Sequence, residues 1–341
     1  MSKRVSLKDI AREIGISTAL VSYVLNGREK EKRVASEMAE KIRKVARALN
    51  YTPNQVALSL KTGSTRTIGL VLADIANPFF GQLARVVEDE ASMAGYTVII
   101  GSSDESSHRS AAIIETLVNR QVDGFIIVPA EGTQDQVVGL IDRGIPVVLA
   151  DRYFPEINTS HVVLSNYEAA FDAVSHLISN GYKRIGIVAY QSGMIHMRER
   201  VRGYVEAMKQ CKLQKAISIS EIRFEHMHKD VDVAMQKAVR QTKSDALFFA
   251  TNSLSISGLY CINKYGIMVP GELAFLGFDG SESFDFFYSP VTYVEQPIQE
   301  MAKESVHLLL GQLQGSSDII HTQLQHKLII RKSTQVSSKE V

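Results

Sequence analysis

Cysteine is nearly missing from this chain: Cys211 and Cys261 are the only two in 341 residues, and neither stands in a metal-type spacing. The pair predicts two small buried or partly buried apolar side chains and excludes a disulfide framework or thiolate–metal centre. Long apolar runs are missing as well. No stretch of 18 or more apolar residues is present, so no bilayer span is expected, and the basic start MSKRVSLKD has no apolar h-region of a secretory signal. Cytoplasmic residence is the expectation. The chain also contains no G-x-S-x-G elbow, no G-x-x-x-x-G-K-[ST] phosphate loop, no G-x-G-x-x-G fingerprint and no H-E-x-x-H. Bond-making chemistry is therefore not expected. His226-x-His228 has no third ligand beside it and the nine histidines are scattered, so neither metal nor cofactor is predicted. Met194, Met197 and Met208 read as core filler.

A length of 341 residues with 45% hydrophobic content predicts two or three globular domains with a sizeable core. The net charge of +1 conceals a division. Residues 1–62 hold 13 Lys and Arg against 6 Asp and Glu, whereas the other 279 residues hold 25 against 31. Positive charge gathered on a small N-terminal unit suits a polyanion, because each neutralised phosphate releases condensed counterions.

Residues 5–27, VSLKDIAREIGISTALVSYVLNG, read as two short amphipathic helices joined by a tight turn. Ser6 caps the first, Asp9 favours its positive end, and Leu7, Ile10, Ala11 and Ile14 fall on one face until Gly15 stops it. Ser17 caps the second, whose Leu20, Val21, Val24 and Leu25 form a buried stripe. Thr18, Ala19, Ser22, Tyr23 and Asn26 are left on the open face. A helical hairpin inside a larger core would carry the same pattern; the adjoining basic run from Arg28 to Arg33 tips the reading toward DNA. A third helix over about 36–49, with Met38, Ile42, Val45 and Leu49 on one stripe, closes a three-helix core. Thr52 and Pro53 then open about two turns of helix before Gly63, too short to hold alone in water and so expected to fold on a partner.

With LKDIAREIGIS, LVSYVLNG, LNYTPNQVALSLKTG and TIGLVLADIANPFF, the chain resembles the LacI/GalR (lactose-repressor) family of bacterial transcription regulators, over nearly its whole length. The resemblance implies a multi-domain molecule: an all-α helix-turn-helix headpiece (1–50), a hinge helix or linker (51–64) and a two-lobed α/β core (65–334), periplasmic-binding-protein-like, its parallel sheets covered by helices. A tail spans 335–341 and shows no leucine heptad for tetramers, so a homodimer is favoured. It implies a DNA interface of Ser6, Leu7, Ser17, Thr18, Ala19, Ser22, Tyr23 and Asn26, joined by Asn54, Ala57 and Leu60 of the hinge, where Leu60 matches the residue that wedges into the minor groove. Most relatives carry arginine where this chain has Tyr23, so the operator should differ at that base.

From Thr67 onward, apolar runs (IGLVLA, YTVIIG, DGFIIVPA, PVVLAD, RIGIVA, ALFFAT, ELAFLGFD) alternate with helical stretches, which argues for parallel sheets covered on both faces. Two successive sets predict two lobes, about 65–162 with 292–322 and about 163–291 with 323–334. Strand ends collect ligands in such folds, which nominates Asp74, Asn77, Phe79, Phe80, Asp151, Asn252 and Asp279. Arg200 joins them as the match to the family's ligand-holding arginine. Their hydrogen-bonding groups and flat rings suit a sugar or sugar derivative. The alternative for each of the three aspartates is that it caps a helix or ends a strand, and for Asp151-Arg152 that it is an internal ion pair. The expected function is a palindrome-binding repressor set by a small-molecule effector, with double-stranded DNA and a second copy as partners and no membrane. A sugar-binding receptor without a DNA role is the alternative; it needs export and no basic headpiece.

Overall fold

The computed structural model describes residues 5–51 and 63–335. Two compact units divide at Thr65 and Arg66. The expected hinge positions Asn54, Ala57 and Leu60 lie outside the described residues.

In the N-terminal unit three helices, α1 (Leu7–Ile14), α2 (Thr18–Leu25) and α3 (Ser36–Ala48), close around Ile10, Val21, Val24 and Ile42. At the start of α1, Asp9 does the capping: its carboxylate accepts from the Ser6 backbone N–H at 2.8 Å and from the Ser6 hydroxyl at 2.6 Å. Gly15 ends α1 at φ 80°, a left-handed conformation in which a Cβ would be strained, and its N–H returns to the Ala11 carbonyl. Ser17 Oγ then accepts from Leu20 N at 3.2 Å and opens α2.

The second unit holds two six-stranded sheets. The first runs β11-β5-β4-β3-β1-β2, from β1 (Thr67–Leu72), β2 (Thr97–Ser102), β3 (Gly124–Ile127), β4 (Val147–Ala150), β5 (Ser160–Leu164) and β11 (His321–Leu324), with every neighbouring pair parallel. The second runs β12-β10-β9-β8-β6-β7, from β6 (Ile185–Tyr190), β7 (Ser218–Ile222), β8 (Ala246–Phe249), β9 (Ala274–Phe278), β10 (Thr292–Glu295) and β12 (Lys327–Ile329). There β12 alone is antiparallel. Strands β1, β3, β4, β6, β8 and β9 are almost fully buried, as continuous apolar runs flanked by helices on both faces should be.

Helices α4 (Pro78–Met93), α5 (Ser107–Asn119) and α6 (Gln134–Asp142) follow β1, β2 and β3; α7 (Asn166–Ser179) follows β5. Helices α8 (Ile195–Gln210), α9 (Met227–Arg240), α10 (Asn252–Tyr265) and the short α11 (Glu282–Phe286) follow β6, β7, β8 and β9. Helix α12 (Ile298–Leu313) returns to the first lobe, packing on α4 and on β3, β4 and β5 through Met301, Leu308 and Leu309. The lobes are thus joined by three crossings, after Leu164, at Gln296-Pro297 and after Leu324. The sequence placed them near 162, 291 and 322. The middle one lies later because Thr292–Glu295 pairs with β9 and so belongs to the second lobe. Strands β5, β7, β10 and β11 were not legible, because SHVVL, SISEI, TYVE and HTQL each mix polar with apolar residues.

One expectation needs correcting. Cys261 is buried, but Cys211, at the end of α8, is exposed, because it caps the helix C-terminus, where the chain leaves the packed helix body.

Candidate ligand cleft and nucleic-acid interface

In both sheets the strand order reverses beside the first strand, β1 in one lobe and β6 in the other, and loops at the carboxyl ends of such strands open a crevice. The two crevices face one another across a single cleft with a cavity volume of about 230 Å³. Seven of the eight sequence-predicted residues line it: Asp74, Asn77, Phe79, Phe80, Asp151, Arg200 and Asp279. The eighth, Asn252, does not. It is 1% exposed and turns inward, its amide donating to the Asp279 carbonyl at 2.9 Å, so it braces the loop that carries Asp279.

Two of the aspartates leave their strands in the left-handed region, Asp151 at φ 64° and Asp279 at φ 61°, which aspartate tolerates better than most residues. Asp279 is 6% exposed, and Gln296 Nε2 donates to its Oδ1 at 2.8 Å. Burial pushes its carboxyl up to about 7, against the pull of Arg200. Burial raises Asp151 and half-buried Asp74 too, and Asp104 and Glu105 push Asp74 further. Asp74 also accepts from Ala76 N at 2.9 Å, a local turn.

Arg200 is 2% exposed and rigidly held. Its Nε donates to Asn166 Oδ1 at 2.7 Å, its Nη1 donates to the Ala250 carbonyl at 2.7 Å, and the guanidinium stacks 3.6 Å from the Phe278 ring centroid. Arg152 is bound still more fully. Both terminal nitrogens donate to Glu105, at 2.7 and 2.8 Å, and Nε donates to Asp151 at 3.3 Å, so the suspected Asp151-Arg152 pair extends into a triad.

Apolar faces come from both lobes. Phe80 meets Phe79 edge to face at 5.0 Å, and opposite them Tyr190 and Phe224 lie 5.6 Å apart. Asn77 lines the cleft while its Oδ1 accepts from Phe79 N at 3.1 Å and opens α4.

Sequence reasoning missed several lining residues: Glu105, Glu131, Tyr190, His196, Thr251 and Gln296 among them. Glu105 and Glu131 sit just beyond β2 and β3, so the strand-end rule applied to every strand would have found them. Nothing in the sequence singles out Gln296, which a crossing delivers. Two of the missed groups carry unusual atoms. His196 and Gln296 are 6% and 4% exposed, yet His196 Nδ1 and Gln296 Oε1 are buried with no hydrogen-bond partner among the described residues. Burial holds His196 well below its ordinary pKa and therefore neutral.

A contact also joins the lobes across the cleft. The Glu131 carboxylate, beyond β3, accepts from Ser192 Oγ at 3.1 Å and from Gly193 N at 3.1 and 3.2 Å. Beside it Met194 enters the first lobe's apolar cluster with Val71, Ile127 and Phe154.

In the N-terminal unit, Ser6, Ser17, Thr18, Ala19 and Asn26 are exposed, while Leu7, Ser22 and Tyr23 are half-buried. Asn26 Nδ2 donates to the Ser22 carbonyl at 2.7 Å and to Ser22 Oγ at 3.1 Å, which fixes both side chains on one turn of α2. Lys32 Nζ lies 5.8 Å from the Tyr23 ring centroid, bringing the basic loop against the same face.

Comparison with known proteins agrees with both halves. Residues 6–54 match the model for bacterial regulatory proteins of the lacI family, and residues 174–334 match a periplasmic binding protein-like domain. The chain is 30% identical to the HTH-type transcriptional repressor CytR of Escherichia coli K12 over 335 residues, 97% of this chain and 96% of that protein. Its fold matches the lac repressor dimer bound to operator and the anti-inducer ONPF, with a TM-score of 0.86 at 22% identity, over 98% of this chain and all of that one. It also matches a regulator from Alkaliphilus metalliredigens complexed with D-xylulofuranose, with a TM-score of 0.70 at 25% identity, over 80% of this chain and 100% of that one.

Proposed function

Because the chain belongs to the LacI/GalR family of bacterial transcription regulators, we propose that it represses as a homodimer on a two-fold operator and that a small hydroxyl-rich effector in the cleft sets its DNA affinity. The observation that carries the effector reading is the cleft itself. Buried Asp151, Arg200 and Asp279 converge there with two unpartnered polar atoms, and a buried polar atom without a partner costs about 1–3 kcal/mol, which a ligand hydroxyl would recover. Flat rings on both walls suit the apolar face of a sugar ring. The complex of the Alkaliphilus regulator with D-xylulofuranose supports the same class.

On the DNA side, Thr18 and Ala19 would meet thymine methyls, Tyr23 a base edge or phosphate, and Ser6, Leu7, Ser17, Ser22 and Asn26 the backbone. Asn54, Ala57 and Leu60 are proposed as the minor-groove contacts. An effector shifts operator affinity only if it prefers one hinge state of the lobes, and the Glu131 bridge is a contact that such a preference would make or break. Selection of the full-length protein on random duplexes is the test. It should enrich a palindrome, and a cleft ligand found by thermal shift should move the half-saturation point; enrichment of no duplex overturns the proposal.

A further inference from the structure

The turn that follows α2 holds Arg28, Lys30, Lys32 and Arg33, which read in the sequence as one block of positive charge. The structure divides that block. Arg28 grips the Glu31 carboxylate with two parallel bonds, Nε to one oxygen and a terminal nitrogen to the other, both at 2.7 Å, and Lys32 Nζ reaches the same carboxylate at 2.9 Å. Two cations thus close on one anion. A guanidinium fork joined by an ammonium is also the arrangement with which arginine and lysine take hold of a phosphate. Hydrogen bonds from Arg28 and Lys32 hold the Glu31 carboxyl down to about 2, so the anion is present at any pH at which DNA is bound.

The cluster borders the face of α2 that carries Thr18, Ala19, Ser22 and Tyr23: the Arg28 N–H donates to the Tyr23 carbonyl at 2.8 Å, and Lys32 Nζ stands 5.8 Å from the Tyr23 ring centroid. The turn keeps its shape by other means. Lys32 N donates to the Arg28 carbonyl at 3.0 Å, Val34 N donates to the Glu29 carbonyl at 2.8 Å, and it is Glu29, paired with Arg43, that ties the turn to α3. Glu31 is therefore spare as a structural group. Arg28, Glu31 and Lys32 are all exposed, and an ion pair open to water and salt exchanges its partner readily.

We propose that Arg28 and Lys32 form a site for a backbone phosphate of the operator, and that Glu31 fills this site as an internal phosphate mimic until DNA displaces it. The proposal rests on the reading of α2 as the DNA-facing helix and adds a contact outside that helix. A phosphate carries no base information, so Glu31 weakens binding to every duplex by the same factor. Its effect is to keep passing attachment to non-operator DNA low, where no base contacts offset the exchange.

The experiment compares full-length wild type, Glu31→Gln, Arg28→Ala and the double variant on the selected operator and on a scrambled duplex, from 50 to 200 mM salt. Glu40→Gln, at an exposed carboxylate of α3, measures what the loss of any one negative charge does. Glu31→Gln should bind both duplexes about three- to tenfold more tightly at 50 mM salt, with a log–log salt slope steeper by about one for each protomer on the DNA. Glu40→Gln should give less than half of that gain, and Arg28→Ala combined with Glu31→Gln should lose most of it. Weaker binding by Glu31→Gln would mean that the carboxylate braces the turn, and a gain equal to that of Glu40→Gln, or one that survives Arg28→Ala, would mean that it acts only by general charge. Any of these overturns the proposal and leaves the DNA reading standing. A wild type that prefers no duplex removes the DNA reading, and the proposal with it.

Discussion

At the level of single residues, Asp279 is the group whose surroundings have the clearest measurable outcome. Its carboxyl has an ordinary pKa of 3.8 and a folded value of about 7, so the folded state holds a proton that the unfolded chain has released. The stability this contributes is fully present below the unfolded pKa and is lost as pH rises through the folded one. Asp279→Asn retains the left-handed backbone and the Gln296 bond but no longer titrates. The variant should therefore gain on the wild type in urea melts as pH goes from about 5 to about 8; parallel profiles would exclude a titrating carboxyl here. Gly203 shows the opposite kind of constraint. A Cβ there would sit 2.3 Å from the Tyr167 carbonyl and 2.9 Å from Phe171 N, both backbone atoms of α7, so Gly203→Ala must push α7 and α8 apart. A loss of about 1–3 kcal/mol or more is expected by chemical denaturation. Tyr23→Arg acts on recognition instead. Arginine can pair bidentately with guanine O6 and N7, so operator selection should show a new guanine preference, while Lys8→Ala weakens binding to every sequence alike.

At the level of elements, the helix boundaries of the N-terminal unit come from local chemistry, and that is why they were legible. Ser17→Ala removes the acceptor for Leu20 N and should cost about 1 kcal/mol, seen as amide exchange about fivefold faster in α2 while the core helices are unchanged. The α/β core was legible for a related reason. Buried parallel strands are largely apolar, and their ends must face a crevice, so six of the seven residues nominated from strand ends met in one place, joined by Arg200, which the family resemblance supplied. What stayed hidden depends on tertiary partners. Asn252 follows β8 as Asp279 follows β9, and the sequence carries no sign that one turns inward to hold the other. Gln296 enters through a crossing set by the pairing of β10, and β11 is a half-polar edge strand whose period says little.

At the level of the whole molecule, division of charge and division of lobes govern separate measurements. If a dimer neutralises 6–10 phosphates, operator affinity should fall about 10³–10⁵-fold between 50 and 200 mM salt; a flat salt response would contradict DNA binding through the basic N-terminal unit. The Glu131 bridge should hold the lobes together. A Cβ at Gly193 would approach Glu131 Oε1 to 2.7 Å, so Gly193→Ala should loosen the cleft, raise the radius of gyration in small-angle scattering and weaken cleft ligands severalfold.

The three crossings have a further consequence, for biosynthesis. The first lobe begins at residue 66 but its sheet is finished only by β11, and α12, which fills its apolar floor, comes just before. A nascent chain therefore exposes the unfinished floor beneath Leu70, Val148 and Val162 while the entire second lobe is being translated, and the ribosome must release nearly all of the polypeptide before either half can close. Stalling or truncation shortly after β10 leaves that apolar surface bare, which makes the last seventh or so of the message the stretch where a nonsense mutation turns a regulator into a chaperone client.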